Sequence, residues 1–403
     1  MARKLDLRTG KPVWLAYRAP SVPTARLARD IRTDVLIIGM GISGAMIAER
    51  LAAAGMDVIA IDRRGPMEGS TAATTALVQF EIDVPLEKLS RRLGRIDAER
   101  AWRRSRLAIV GLKARIVEDR LSCGLAERPS LYLAGDVLDA DGLKTEAEAR
   151  KRAGLHATFL SRAALNERFG IRREAAILSQ GNLALDPRKL TASLLNRAAA
   201  FGARLHAPVE ATTIEHSSSG VLVATGDGPT ITAKAVVLAT GYELMRDAPA
   251  AEHRIISTWA IATRRQKSAT WPEQALVWEA SDPYLYARTL PDGRVVCGGE
   301  DEEFVDAQRR DALIAGKSRR IAARLKKLFP GIDSTAEFAW AGAFGTTATG
   351  LPFMGSVPRK PRLLAVMGYG GNGITYSQIA SEVVSAALLG KTDSDADLFA
   401  FHA

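Results

Sequence analysis

The stretch Gly39-Met40-Gly41-Ile42-Ser43-Gly44 restricts this chain most, because of what flanks it. Val35, Leu36, Ile37 and Ile38 form a continuous apolar run, as in a strand buried on both faces. Residues 45–54 are rich in helix formers, and Val58, Ile59, Ala60 and Ile61 read as a second buried strand. Strand, tight turn, helix and strand make a βαβ unit. In that setting Gly39 allows the turn, Gly41 lets the backbone approach a pyrophosphate, and Gly44 lets helix and strand pack closely. The helix start, at Ile42 and Ser43, offers unpaired N–H groups and a positive dipole end to phosphates. Asp62 ends the second strand at the spacing of an acid that accepts from ribose hydroxyls. Arg63 and Arg64 follow, positioned to cover pyrophosphate or adenine. This unit alone does not choose between NAD and FAD.

The 403 residues suit two intertwined domains of ordinary size, with 47% hydrophobic and 25% charged residues. The formal charge of +10 comes from scattered basic residues without a polybasic tail, so we read it as a solvated basic surface. Cys123 and Cys297 are the only cysteines, too few for a metal cluster or a disulfide framework. That suits a reducing, cytoplasmic setting. Residues 1–18 contain no apolar core of a secretory signal. No stretch approaches the roughly 20 apolar residues of a membrane span.

Further along, residues 87–121 are helical in pattern, with Leu107, Val110 and Leu112 at helical intervals. Asp186-Pro187 starts a helix that Gly202 ends, and residues 235–239 form another buried strand. Several strands follow over 255–299, then an amphipathic helix over 318–329 with Ile321, Leu325 and Leu328 inward. Residues 363–367 read as a strand, 368–373 as a loop and 377–389 as a helix.

Four more segments carry a resemblance. They are Gly69 to Gln79, containing Ser70, Thr71, Thr75, Ala76 and Leu77; Leu185 to Leu190 with Gly202 and Val209; Tyr284 to Arg288 with Gly298-Gly299-Glu300-Asp301; and Trp340-Ala341-Gly342 with Gly368 to Ile374. Thr240 and Gly241 close the strand before them. In order and spacing the chain resembles the D-amino-acid-oxidase-like flavoprotein family, which includes glycine oxidase, sarcosine oxidase and gamma-glutamylputrescine oxidoreductase. The resemblance spans about 33 to 390. It implies an α/β fold: a Rossmann-like FAD-binding domain of glutathione-reductase type, interleaved with a β-rich α+β substrate domain. The expected boundaries are 30–85, 150–245 and 340–395 for the first, 86–149 and 246–339 for the second, and 1–29 as an N-terminal extension. It also implies that residues 69–79 run along the flavin, that the backbone near Val209 contacts adenine, and that FAD is bound. At Gly370, Gly371, Asn372, Gly373 and Ile374 a glycine loop enters a helix, and such donors suit the negative charge of reduced flavin.

The implied chemistry is hydride transfer from the carbon beside a nitrogen to flavin N5, followed by imine hydrolysis. The partners are a small amine and an electron acceptor, oxygen or another redox partner. Tyr284, Arg288, Glu300 (with Asp301), Trp340 and Gln79 are the candidate substrate-side residues, with Trp259 and Tyr286 as further walls. Amino-acid oxidases of the family place a carboxylate-gripping arginine about where Phe344 stands, which points away from a simple α-amino acid. His156, His206, His216, His253 and His402 match no covalent attachment position, so the FAD is expected to be non-covalent. Three alternatives remain: a flavin-dependent 2-hydroxy acid or polyol dehydrogenase, which wants a base near the hydroxyl, a non-catalytic NAD- or FAD-binding module, and an oxidoreductase acting on an aminomethyl group of tRNA. The basic residues form no aromatic-interleaved patch for the last, and we expect no nucleic-acid partner.

Overall fold

The strands Ile31–Ile38 and Val58–Ile61 pair in parallel, and Ile42–Ala53 crosses between them as a helix. This is a computed structural model, and it describes residues 6–217, 220–248, 253–268 and 270–401. Around the βαβ unit grows an eight-stranded sheet. Its main path runs Phe353–Ser356, Leu363–Met367, Thr230–Leu238, Ile31–Ile38, Val58–Ile61, Arg204–His206. All neighbours on it are parallel except the first pair. Ile38, Ile61 and Leu238 lie in register, so the parallel strands end together at one edge. Such an edge is where α/β sheets place ligands.

Alternation explains why these strands are apolar throughout. Val35, Ile37, Val58 and Ala60 face a layer of helices, Ile42–Ala53, Pro187–Ala200 and Gly373–Leu388. Leu36, Ile38, Ile59 and Ile61 face the other side, against Val209, Val221 and Val223.

A ten-stranded sheet carries the rest of the core. Its path is Arg8–Gly10, Ala336–Thr347, His253–Thr263, Val295–Glu302, Leu285–Thr289, Leu276–Glu279, Ala126–Leu133, Ala175–Ala184, Leu77–Val78, with Thr158–Ser161 paired to Ala175–Ala184. The chain therefore changes sheets more often than the expected boundaries allow. Ala175–Ala184 and Ala336–Thr347 hydrogen-bond in this second sheet, not beside the nucleotide-type strands. The presumed extension is structural as well, because Arg8–Gly10 forms an edge strand and Leu7 and Trp14 are buried.

The helical stretch after residue 86 is two helices, Leu86–Leu93 and Arg95–Glu118, parted by Gly94 at φ +83°. The buried face of the second contains Ala98, Trp102, Ile109 and Leu112. Leu107 and Val110, noted at helical intervals, are 59% and 48% exposed. In Ile314–Leu328 the residues Ile321, Leu325 and Leu328 do point inward.

Candidate active site

One cleft opens where the parallel strands end, and its walls come from both sheets. Gly39, Gly41, Ile42 and Ser43 line it. Gly39 has φ +116°, and a side chain there would run into the Ala239 carbonyl. Gly44 stays behind the wall, where a Cβ would strike the Gly39 carbonyl oxygen, the close packing expected of it. The N-cap Gly41 offers no side-chain cap, and the Thr71 hydroxyl accepts from the Ile42 N–H at 3.1 Å. Asp62 lines the cleft while steadying the turn, accepting from Met40 N–H at 2.8 Å and from the N–H groups of Arg64 and Gly65 at 2.8 and 3.0 Å. Arg63 and Arg64 are in the wall too, but both pair with Glu243, Arg64 at 2.7 Å. Their charge is thus shared with a neighbouring carboxylate. Val209, Thr240 and Gly241 complete this end, and the Val209 N–H donates to the Asp62 carbonyl at 2.8 Å.

The loop after Gly69 contributes Ser70, Thr71, Thr75, Leu77 and Gln79. Ala76 is not in the wall. It sits at φ +56° with its carbonyl turned inward to the Arg288 guanidinium. Arg288 is therefore no substrate ligand. It is fully buried, also donates to the Leu185 carbonyl at 3.1 Å, and stacks 5.4 Å from the Trp14 ring. Desolvation lowers its pKa to about 9. Trp340 is likewise outside the cleft, 1% exposed, with its indole N–H on the Ala73 carbonyl at 2.8 Å. Trp14 does the same to the Thr74 carbonyl at 2.6 Å. Three buried side chains thus clamp the carbonyls of residues 73, 74 and 76.

The late glycine turn faces the same cleft through Gly370, Gly371, Asn372, Gly373 and Ile374, with Gly342 beside it. Its helix meets the first one directly, Ser43 Oγ and Ser377 Oγ lying 2.8 Å apart. Two of the expected donors are already used. The Gly370 N–H donates to the Gly345 carbonyl at 2.8 Å, and the Gly371 N–H to Asp83 Oδ2 at 2.7 Å. Gly373 and Ile374 begin the helix without a side-chain cap, and the N–H groups of a first turn have no intrahelical acceptors.

Beyond this turn the cleft is aromatic and acidic. Tyr284, Tyr286, Trp278, Thr258, Phe344 and Asp83 line it. The rings of Tyr284 and Tyr286 are 5.5 Å apart, and Trp278 stacks on Tyr132 at 3.8 Å. Gly298 gives Tyr286 its room, since a Cβ there would come within 2.5 Å of the hydroxyl. Trp259, a candidate wall for which core packing is the commoner fate, is buried in the second core.

Glu300 turns away. A bulge opens between the strands at Gly299 and Glu300, with φ +139° and +62°. It sends the Glu300 carboxylate to Arg320 and Arg324 at 2.9 and 3.1 Å, and its neighbour Asp301 toward Thr258 and Tyr284, which line the cleft. Both Asp301 oxygens are shielded from solvent, and the Thr258 and Tyr284 hydroxyls face them. Burial pushes the Asp301 carboxyl up to about 6, against the lowering pull of those hydroxyls. Desolvation also raises Tyr284 well above the usual phenol, with Asp301 adding to it. Asp83 opens onto the cleft yet is ringed by protein atoms, and desolvation raises its pKa against the Gly371 hydrogen bond. Neither histidine nor cysteine is among the described residues lining the cleft, and His402 lies outside the described residues.

A glycine-floored turn, two adjoining helix starts and a clamped polar loop define a dinucleotide-binding protein. Residues 34–387 match the DAO family of FAD-dependent oxidoreductases, and the chain belongs to that family. It is 25% identical to the "probable oxidoreductase OrdL" of Rhizobium meliloti, over 93% of this chain and 86% of that one. It is 23% identical to gamma-glutamylputrescine oxidoreductase of Escherichia coli, over 92% and 87%. The crystal structure of glycine oxidase from Geobacillus kaustophilus superposes with a TM-score of 0.73 at 23% identity, covering 90% of this chain and 96% of that one.

FAD is therefore the cofactor, and the cleft fits it. Gly41 leaves a cradle that a Cβ would narrow to 3.2 Å from Thr71 Oγ1, and Gln79 Nε2 and Asn372 Oδ1 are buried in the walls without partners. Among the described residues no helix is long and apolar enough to cross a membrane.

Proposed function

We propose that this enzyme oxidises a C–N bond of a small amine that has no α-carboxylate. Bound FAD would supply the hydride acceptor at N5; the protein's part is binding, orientation and proton placement. Gly39, Gly41 and the helix start would hold the pyrophosphate, Asp62 the ribose, the backbone at Val209 the adenine, and the loop of Ser70 to Gln79 with Gly373 and Ile374 the flavin. Tyr284, Tyr286 and Trp278 would hold the amine and keep competing water out. An amine must be neutral at nitrogen to release hydride. A carboxylate held near pH 6 behind Thr258 and Tyr284 suits acceptance of the ammonium proton through those hydroxyls.

One observation carries this reading. In the described wall the only cations, Arg63 and Arg64, stand at the Asp62 end, while the aromatic end holds an acid and Phe344. A site for α-amino or 2-hydroxy acids needs a cation for the carboxylate. The test is anaerobic bleaching of the purified yellow protein by matched series of amines, α-amino acids, 2-hydroxy acids and polyols. Bleaching by amines alone is expected, as is release of the flavin on acid precipitation. Efficient bleaching by glycine, D-alanine or a hydroxy acid would refute the reading.

A further inference from the structure

Resting on amine oxidation at this cleft, a narrower statement follows from two carboxylates that have no cation facing them in the wall. Asp83 presents its carboxylate beside Gly370 and Gly371, keeping one hydrogen bond, to the Gly371 N–H at 2.7 Å. Asp301 lies behind Thr258 and Tyr284 on the strand Val295–Glu302, with both oxygens shielded from solvent and facing only those two hydroxyls. Lys317, whose charge acts on Asp301, is engaged on Glu302 at 2.7 Å and on the Glu300 carbonyl, and stacks 4.4 Å from Trp259. Trp278, Tyr284 and Tyr286 line the cleft with Asp83. Gln79, 8% exposed and with Nε2 unpartnered, opens into the same space. The Asp83 charge makes Asp301 harder to ionise. Aromatic faces backed by acids attract alkylammonium groups.

We propose that the preferred substrate is a dication: an alkyl diamine, or a longer polyamine, with one ammonium on Asp83 and the other against the Trp278–Tyr284–Tyr286 wall backed by Asp301. The two positive charges match the two acids, and the methylene chain between them matches the apolar ring faces. An amino acid of the same length would bring a carboxylate toward Asp83 or Asp301 and be repelled.

The experiment is calorimetric titration of the holoenzyme with 1,4-diaminobutane, butylamine and 4-aminobutanoate, repeated on Asp83→Asn and Asp301→Asn. The diamine is expected to bind about tenfold more tightly than butylamine, with 4-aminobutanoate weakest. Asp83→Asn should bring diamine and butylamine within about twofold. Wild-type affinities that are equal for the first two ligands, or highest for 4-aminobutanoate, overturn the dication, whatever the variants do. Parallel bleaching separates the two levels of the reading. Equal binding and bleaching by both amines removes the dication and leaves amine oxidation standing. Tight diamine binding with no bleaching by any amine keeps the selectivity and removes the oxidation.

Discussion

Burial holds the Asp301 carboxyl at about 6, above the 3.8 of a solvated aspartate. The folded protein therefore binds a proton there that the unfolded chain has lost between about pH 4 and 6. The sign follows from proton linkage: stability falls as pH rises through that window, and above it the ionised group opposes folding by up to about 3 kcal/mol. Asp301→Asn should accordingly melt higher than the wild type at pH 8 and about equally at pH 4, while its amine affinity drops. Melting curves at the two pH values check this, and a variant less stable at pH 8 contradicts the assignment. The sequence placed Glu300 and Asp301 together at the right strand end. It did not show the bulge at Gly299 that decides which of them faces inward, because strict alternation assumes an unbroken ladder. Asp83 had no local signal at all. Its meaning comes from a hydrogen bond to Gly371, 288 residues away in the chain.

At the scale of elements, the clamped loop of residues 73–76 shows how Arg288 and Trp340 act without touching the cleft. Each spends its donors on a carbonyl of the segment that lines it. Both were legible as matched residues, yet their direction was not, since a matched position does not state which face of a strand it occupies. Trp14 went unread because nothing in residues 1–29 resembles a motif. Arg288→Met should leave the cleft walls in place but free the carbonyls of Ala76 and Leu185 in a buried setting. Losing hydrogen bonds to a charged donor costs about 1.5–3 kcal/mol. The expected result is a lower melting temperature and a purified protein with substoichiometric flavin, restored in part by added FAD. Full flavin occupancy at wild-type stability would show that the clamp is idle.

For the whole molecule, the cleft is the seam between two sheets, and the first and last glycine turns meet there through helices that touch at Ser43 and Ser377. The βαβ unit announced the first turn because strand, turn and helix are contiguous. The interleaving of the sheets was harder to read, because strands such as Ala175–Ala184 find partners distant in sequence. A cofactor lying along this seam would contact residues from both sheets at once, so its binding energy should be felt by the fold as a unit. Ligand that binds only the native state stabilises it by about 4 kcal/mol at a thousandfold excess over Kd. Heating the holoenzyme should then give one cooperative transition that rises with added FAD, with flavin release and loss of both sheets coincident by absorbance and circular dichroism. Gly44→Ala supplies the control, since its methyl group would collide with the Gly39 carbonyl and spread helix from strand at the pyrophosphate turn. That variant should melt at a temperature indifferent to FAD. A holoenzyme in which flavin departs well before the sheets unfold, or whose melting ignores FAD concentration, would show instead that the seam is held by protein contacts alone.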